Sequence, residues 1–248
     1  MKSLLWLLAC LSISTPSDAT VGLKPGVGPV DNLAQAHLVR VKAGGRRYLY
    51  NGYADGCPKL IARCKRKGFF LPGDVLVATD VVGPFTSVEY VDRNGVATGG
   101  YVASGSLAPV ERPVQPMSSW SGTWRRDDET GFEIKPTKFR GQWRAEGTAL
   151  WGTHDPERVK RGSVHTGSIE GRFRPTDNWA GLIDTDSGTP VLRNNDRIDW
   201  EHDFPYNKSD GYDCQVRLRL LEPYLLAYDD GDKCGGVNVS FTGAYRRF

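Results

Sequence analysis

Ser121-Gly-Thr-Trp-Arg-Arg126 returns at the end of the chain as Thr242-Gly-Ala-Tyr-Arg-Arg247. Both hexapeptides place a glycine two positions before an aromatic residue, and two arginines follow that residue. In an up-and-down β-barrel the first and last strands must pair with each other to remove both exposed sheet edges. The repeat therefore predicts that residues 118–248 form an antiparallel β-barrel or sandwich domain closed by these two stretches.

The sequence between the two hexapeptides alternates in the manner of β-strands. One face of a strand is predicted to carry Cys214, Val216, Leu218 and Leu220. Residues 237–241 (VNVSF) alternate as well and predict a further half-buried strand. Short runs of this kind, separated by turn residues, recur along a chain with 29 Gly and 15 Pro. No segment after residue 19 shows convincing helical periodicity, so the sequence predicts an all-β fold.

Residues 37–110 contain a separate set of short strands. Val75, Val77 and Thr79 share one strand face, and a second strand follows at residues 85–91. The next four residues, Asp92-Arg-Asn-Gly95, predict a hairpin turn in which Asn and Gly both supply positive φ angles. This region is therefore expected to form a small β domain of its own.

Four motifs of this first region, in the same order, resemble those of bacterial SH3-like domains: Arg47–Tyr50, Lys67–Val75, Phe85–Tyr90 and Gly100–Leu107. The resemblance covers about residues 46–110. It departs from the family pattern where Gly-Tyr-Val replaces Gly-Trp-Val, and the loop between Cys57 and Cys64 is an addition.

Exported domains of this family bind peptidoglycan or peptide segments, so the resemblance implies a ligand groove. The candidate lining residues are Tyr48, Tyr50, Tyr53 and Tyr101. Phe85 and Tyr90 suit core positions better. The basic stretch at residues 63–67 (RCKRK) is read as a solvated face that attracts anionic cell-wall polymer. Nucleic acid is not an expected partner of an exported protein.

The second region is similar to the lipocalin and avidin barrels in its Gly-Thr-Trp opening and in the meander that follows. Barrels of this size also occur among periplasmic lysozyme inhibitors, although the inhibitory-loop motif of that family is not matched here. The likeness implies a protein partner, such as a lysozyme-type cell-wall hydrolase. The candidate contact is an outward acidic tip formed by Asp229, Asp230 and Asp232.

The chain begins with the features of a secretory signal. Residues 1–19 have a basic start, a short apolar core and a small-residue cleavage site, and residues 20–36 are expected to form a flexible lead-in. Lipidation at Cys10 is an alternative. No later apolar segment is long enough to span a membrane. We therefore expect a periplasmic or secreted protein.

A linker at residues 111–117 separates the two predicted domains, and three prolines fall within residues 108–116. Charge and tryptophan content both change across it. Residues 20–116 carry 12 Lys and Arg against 7 Asp and Glu, whereas residues 117–248 carry 19 against 21. Six of the seven tryptophans lie in the second part, and the seventh lies in the predicted signal.

Four cysteines remain after the signal: Cys57, Cys64, Cys214 and Cys234. An even number in an exported chain predicts two disulfides. Sequence alone allows three pairings, of which the near-neighbour pairing, Cys57–Cys64 and Cys214–Cys234, is the simplest.

Motifs for catalysis are incomplete. Residues 211–214 (GYDC) partly match the Asp-Cys-Ser-Gly of cell-wall cysteine peptidases, but no histidine follows Cys214 to act as its base. The four histidines form no short-spaced metal-binding pair, and the acidic loops lack the distal glutamate of an EF-hand. The sequence therefore predicts no catalytic residue, no metal site and no cofactor.

The leading expectation is an exported cell-envelope binding protein without catalysis. Its first domain would bind a cell-wall polymer or peptide, and its second domain would bind an envelope protein. Two alternatives stay open. One is a cell-wall enzyme whose site follows no known motif, and the other is a lipocalin-like carrier of a small apolar ligand.

Overall fold

The fold consists of two antiparallel β-sheets with very little helix. The structure, a computed structural model, describes residues 33, 35–52, 56–111, 117–175, 177–183, 214–229 and 234–248. The predicted signal, most of the lead-in and most of the linker lie outside these residues. Within them, no helix is long and apolar enough to cross a lipid bilayer. The all-β fold class is confirmed.

The first sheet contains seven strands arranged in the order β3-β2-β6-β5-β4-β1-β7. Their bounds are β1 His37–Val41, β2 Arg47–Tyr50, β3 Lys65–Phe70, β4 Val75–Val82, β5 Phe85–Val91, β6 Ala97–Ala103 and β7 Leu107–Pro109. One face of this sheet encloses a small apolar core that includes Leu49, Phe70, Leu76 and Val88. All seven strands come from the region predicted to be the first domain.

The hairpin between β5 and β6 differs in detail from its prediction. Gly95 has a positive φ of 78°, but Asn94 does not share it. The Asp92 carboxylate explains the difference, because it accepts hydrogen bonds from the backbone N–H groups of Asn94 (2.8 Å) and Val96 (2.9 Å). An aspartate that bonds to the backbone two residues ahead sets the turn itself and leaves only the glycine in the left-handed region.

The second sheet contains eight strands in the order β11-β10-β9-β8-β15-β14-β13-β12. Their bounds are β8 Gly122–Arg125, β9 Thr130–Pro136, β10 Trp143–Trp151, β11 His165–Phe173, β12 Trp179–Ile183, β13 Gln215–Leu221, β14 Tyr224–Asp229 and β15 Gly243–Arg247. The end strands β11 and β12 lie close to each other, so the sheet forms a nearly closed barrel. The predicted pairing of the two ends of this region is confirmed, because Trp124 and Arg125 of β8 face Arg247 and Arg246 of β15.

The interior of the barrel is filled by large side chains. Trp124, Phe173, Phe241 and Tyr245 are all 0% exposed and belong to one apolar cluster. The alternation predicted for β13 holds, since Val216, Leu218 and Leu220 lie in this cluster. Gly147, in the middle of β10, allows close packing, because a Cβ there would lie 2.7 Å from the Phe132 ring.

Two local predictions for the second region are wrong. Residues 237–241 do not form a strand: Asn238 has a positive φ of 68°, and β15 begins only at Gly243. The Asp229 carboxylate accepts the Phe241 N–H, so a side chain takes the place of a ladder partner. A five-residue helix, α1 (Pro156–Lys160), was also not expected. Asp155 caps its first turn, so the Asp-Pro pair was the available signal.

The outer faces of the two sheets pack against each other along an apolar seam. Leu38, Val77 and Val91 from the first sheet meet Leu221, Tyr224, Leu226 and Ala244 from the second. Polar groups cross the same seam. The Tyr224 hydroxyl donates to the Val75 carbonyl (2.6 Å), and the Arg246 guanidinium donates to the Val91 carbonyl (3.1 Å).

Candidate functional site

An exposed surface with aromatic and basic side chains lies on strands β2 and β3, at one edge of the first sheet. Neighbours along a strand point to opposite faces. Leu49 and Phe70 therefore enter the core, whereas Tyr48 and Phe69 point outward. Phe69 is 38% exposed, and its ring centroid lies 6.1 Å from that of Tyr48.

Two cations lie over these rings. The Lys65 ammonium is 3.5 Å from the centroid of Tyr48, and the Arg46 guanidinium carbon is 4.3 Å from the centroid of Phe69. Cation–π contacts at exposed sites contribute about 0.5–1 kcal/mol each, so they restrain flexible side chains that would otherwise be mobile. We call the set formed by Arg46, Tyr48, Lys65, Lys67 and Phe69 the aromatic–basic face.

The positive charges of this face have no carboxylate partners among the residues that the structure describes. None of the ion pairs found there includes Arg46, Lys65 or Lys67. The surrounding sequence is also basic, with eight Lys and Arg but one acidic residue between positions 42 and 67. The face therefore presents net positive charge to solvent.

A bulge shapes this face. Tyr48 is opposite Phe69, but Tyr50 is opposite Lys65, so β3 holds two more residues than β2 over the same length. The Arg66 guanidinium, on the inward side of β3, donates to the Gly99 carbonyl (2.5 Å). Bulges re-aim side chains and are frequent next to functional sites.

The four predicted groove tyrosines are not equivalent. Tyr48 and Tyr50 are half-buried and face outward, and the Tyr50 ring lies 5.1 Å from that of Phe85. Tyr101 is only 9% exposed, so it supports the sheet more than it offers a contact surface. Tyr53 lies outside the described residues. Lys65 and Lys67 belong to the basic stretch at residues 63–67 that the sequence already indicated. Phe69 was not included as a contact residue, although the alternation in residues 65–70 (KRKGFF) was the signal that could have found it.

The acidic tip of the second region is not arranged as predicted. Asp229 is 3% exposed and points inward. Its carboxylate accepts hydrogen bonds from Phe241 N (2.5 Å), the Ser240 hydroxyl (3.0 Å) and the Thr242 hydroxyl (2.8 Å). This residue organises the loop before β15 and is not available to a partner. Asp230 and Asp232 lie outside the described residues.

Both disulfides have the near-neighbour pairing. Cys57 is bonded to Cys64 with a Cα–Cα distance of 5.6 Å, and Cys214 is bonded to Cys234 with a distance of 4.5 Å. No free thiol therefore exists among these four residues. The first disulfide closes the loop that leads into β3 and so restrains the base of the aromatic–basic face. On the chain-entropy model a loop this short contributes roughly 2–3 kcal/mol to stability.

The described residues offer no metal site, since no group of three or more metal-binding side chains comes together among them. His154 lies 3.1 Å from the Asp128 carboxylate and 4.0 Å from that of Glu129. The Glu129 carboxylate also accepts the Thr153 N–H (3.1 Å), so it fastens the β10–α1 loop to the barrel. This arrangement holds two loops together and resembles no metal centre.

Three glutamates lie in one row on neighbouring strands of the second sheet. Glu133, Glu146 and Glu170 face each other across β9, β10 and β11. Glu133 is ion-paired with Lys135 (2.8 Å), whereas Glu146 (3.0 Å) and Glu170 (2.6 Å) share Arg144. All are well exposed, and each carboxylate has a cation beside it. The row therefore has the character of a solvated strand face.

Two buried charged groups, Glu89 and Arg126, lie at the seam. Glu89 of β5 accepts the Ala244 N–H (3.0 Å), and burial raises the pKa of its carboxyl above the ordinary value, against the opposing effects of that hydrogen bond and of Arg126. Arg126 donates to the Thr242 carbonyl and to the Thr130 hydroxyl (3.0 Å). β8 and β15 pair through only two residues of each strand. Beyond that short ladder, the side chains of Glu89 and Arg126 supply hydrogen bonds to the backbone of residues 242 and 244. No sequence signal pointed to Glu89.

Comparison of the chain with family models, with curated proteins and with solved structures found no match.

Proposed function

We propose that this chain is a non-catalytic binding protein of the cell envelope, with the aromatic–basic face of the first sheet as its ligand contact. The observation that carries the proposal is the pair of cations over outward-facing rings, Lys65 over Tyr48 and Arg46 over Phe69. Exposed rings beside uncompensated cations suit a ligand that has both an apolar or sugar surface and negative charge.

Two disulfides support an exported location, because such bonds form and persist in oxidising compartments. The resemblance of the first region to SH3-like domains also favours a ligand in the cell envelope. Envelope polymer and wall-linked peptide are the ligand classes that this resemblance implies.

The other expectations receive less support. The lysozyme-type inhibitor rested on an outward acidic tip, but Asp229 is buried. The small-ligand carrier requires a roomy interior, whereas Trp120, Trp124 and Phe241 fill the barrel. The enzyme alternative has only the exposed glutamate row, in which every carboxylate is ion-paired.

The test is co-sedimentation of the full chain with insoluble cell-wall material. The double variant Tyr48→Ala/Phe69→Ala should reduce the bound fraction at least five-fold, since aromatic residues that anchor an interface cost more than about 1 kcal/mol each when truncated. The matched control is Lys138→Ala/Phe139→Ala, because Lys138 also lies over an exposed ring (5.3 Å) but in the loop between β9 and β10 of the second region. Equal loss in both double variants, or no binding by the wild type, would refute the proposal.

A further inference from the structure

The segment that leads into and follows β3 exposes apolar side chains. Ten large apolar side chains are exposed in the described part of the chain, and four of them fall within residues 60–71: Leu60 (67%), Ile61 (42%), Phe69 (38%) and Leu71 (52%). Exposed apolar residues that are scattered singly are ordinary on a protein surface, whereas a concentration of them marks an interaction site. We call residues 59–71 the apolar–basic segment.

The charges of the apolar–basic segment are all positive. The segment contains five Lys and Arg, and no acidic residue occurs between Asp55 and Asp74. Four of the five are exposed: Lys59, Arg63, Lys65 and Lys67. Exposed apolar groups and exposed cations are therefore interspersed within thirteen residues of sequence.

The loop at the start of this segment holds its apolar side chains on the surface. The disulfide fixes both of its ends, since Cys57 and Cys64 are buried. Within the loop, the Ile61 N–H donates to the Lys59 carbonyl (2.8 Å), and the Cys64 N–H donates to the Ile61 carbonyl (3.1 Å). Because the loop is already ordered, Leu60 and Ile61 lose little conformational freedom when a partner covers them.

The exposed apolar groups lie at both ends of β3, an edge strand of the first sheet. Leu60 and Ile61 precede the strand, whereas Phe69 and Leu71 lie near or just beyond its other end. A strand of six residues extends about 20 Å. The register shift between β2 and β3 also leaves the cations along this edge without regular spacing. A partner that covers the segment must therefore be wide, and its negative groups must adjust to irregularly placed cations.

From these properties we infer that the apolar–basic segment docks the protein on an anionic lipid surface. The headgroups of a leaflet move freely in its plane, so they need no fixed pattern of cations. Basic side chains are attracted to anionic headgroups, and apolar side chains enter the boundary between headgroups and acyl chains. In this arrangement Leu60, Ile61 and Leu71 enter that boundary, while Lys59 and Arg63 lie at the lipid phosphates. The inference rests on the proposed function for the envelope location, and it adds a lipid partner to the wall ligand.

The experiment is sedimentation of the full chain with vesicles of mixed phosphatidylglycerol and phosphatidylcholine, compared with vesicles of phosphatidylcholine alone. The anionic vesicles should bind at least ten-fold more tightly at low salt, since each cation near an anionic surface contributes about five-fold in affinity. Leu60→Ser/Leu71→Ser should weaken binding to the anionic vesicles about ten-fold, because two apolar side chains no longer enter the boundary. Lys59→Gln/Arg63→Gln should weaken it roughly ten- to thirty-fold at low salt and much less at about 500 mM salt.

Matched controls come from the second region. Val159→Ser/Val237→Ser and Lys138→Gln/Lys160→Gln change apolar and basic residues that are also exposed, and both should leave vesicle binding unchanged. Equal binding to the two kinds of vesicle, or equal losses in the control variants, would overturn the inference. So would release of the bound protein by about 5 mM glycerol phosphate, which would indicate a site for a free phosphate group.

The lipid contact and the wall ligand can fail separately. None of the four residues changed in the two test variants belongs to the aromatic–basic face, so both variants should bind lipid-free cell-wall material as the wild type does. If wall material binds through Tyr48 and Phe69 but vesicles do not bind, the proposed function survives and this inference fails. If vesicles bind and wall material does not, the lipid contact stands and the wall ligand is refuted.

Discussion

Replacing Glu89 with alanine should destabilise the second sheet, although Glu89 belongs to the first. The substitution removes the acceptor of the buried Ala244 N–H, and an unsatisfied buried donor costs about 1–3 kcal/mol. The space left by a fully enclosed side chain adds about 1 kcal/mol. The expected loss of unfolding free energy is therefore about 2–4 kcal/mol.

The assay is guanidinium unfolding followed by tryptophan fluorescence. Every tryptophan after residue 19 lies at or beyond Trp120, so the signal reports the second region alone. With a slope of about 4 kcal/mol per molar guanidinium, the midpoint should fall by roughly 0.5–1 M. The control is Glu133→Ala, an exposed glutamate on β9, which should shift the midpoint by no more than about 0.1 M. A Glu89→Ala midpoint equal to that of the control would refute the role assigned to the seam.

Three further predictions concern buried groups. Burial raises the pKa of Glu89 above its ordinary value of 4.5, so its contribution to stability is complete below about pH 4.5 and declines as the pH rises through the folded-state pKa. The stability of the wild type relative to Glu89→Gln, measured from pH 4 to 8, should therefore fall with rising pH. An increase in relative stability over this range would contradict the raised pKa. Gly243→Ala should lower the free energy of unfolding by about 2–4 kcal/mol, because its φ is 145° and a Cβ there would lie 2.8 Å from the Arg126 side chain. Thermal unfolding measures the loss. Gly105→Ala is the control and should be nearly neutral, because a Cβ there would meet no atom within 4 Å. Asp229→Ala should cost about 3–5 kcal/mol, since three donors lose a buried acceptor, and retention of the wild-type Tm would show that the loop before β15 does not depend on it.

The sequence predicted those features that depend on local alternation or on edge pairing. The faces of β13 follow from alternation within a few residues, and the pairing of β8 with β15 follows from the two similar hexapeptides at the ends of the region. The structure has both features. The disulfide pairing follows from chain proximity, so the simplest of three choices was also the observed one. Each of these features is marked by a pattern that can be read directly from the sequence.

The features that the sequence did not predict depend on contacts between distant residues. Glu89 reads as the polar position of an alternating strand, and only the packing of one sheet on the other makes it a buried acceptor for Ala244. Asp229 reads as a member of an acidic turn, but the donors of residues 240–242 draw it inward. The aromatic–basic face was partly predicted through Tyr48 and the basic stretch at residues 63–67, whereas the closeness of Lys65 to Phe69 depends on the register shift between β2 and β3.

The Glu89–Ala244 contact also limits which domain recombinations could have produced this chain. A barrel cut from this protein and fused behind a different module would keep all eight strands. It would also expose the apolar side chains of the seam and leave the Ala244 N–H without its acceptor. A recombination event that transferred the second sheet would therefore also have had to transfer the first. The other route is a new partner domain that has a carboxylate on the strand facing Ala244.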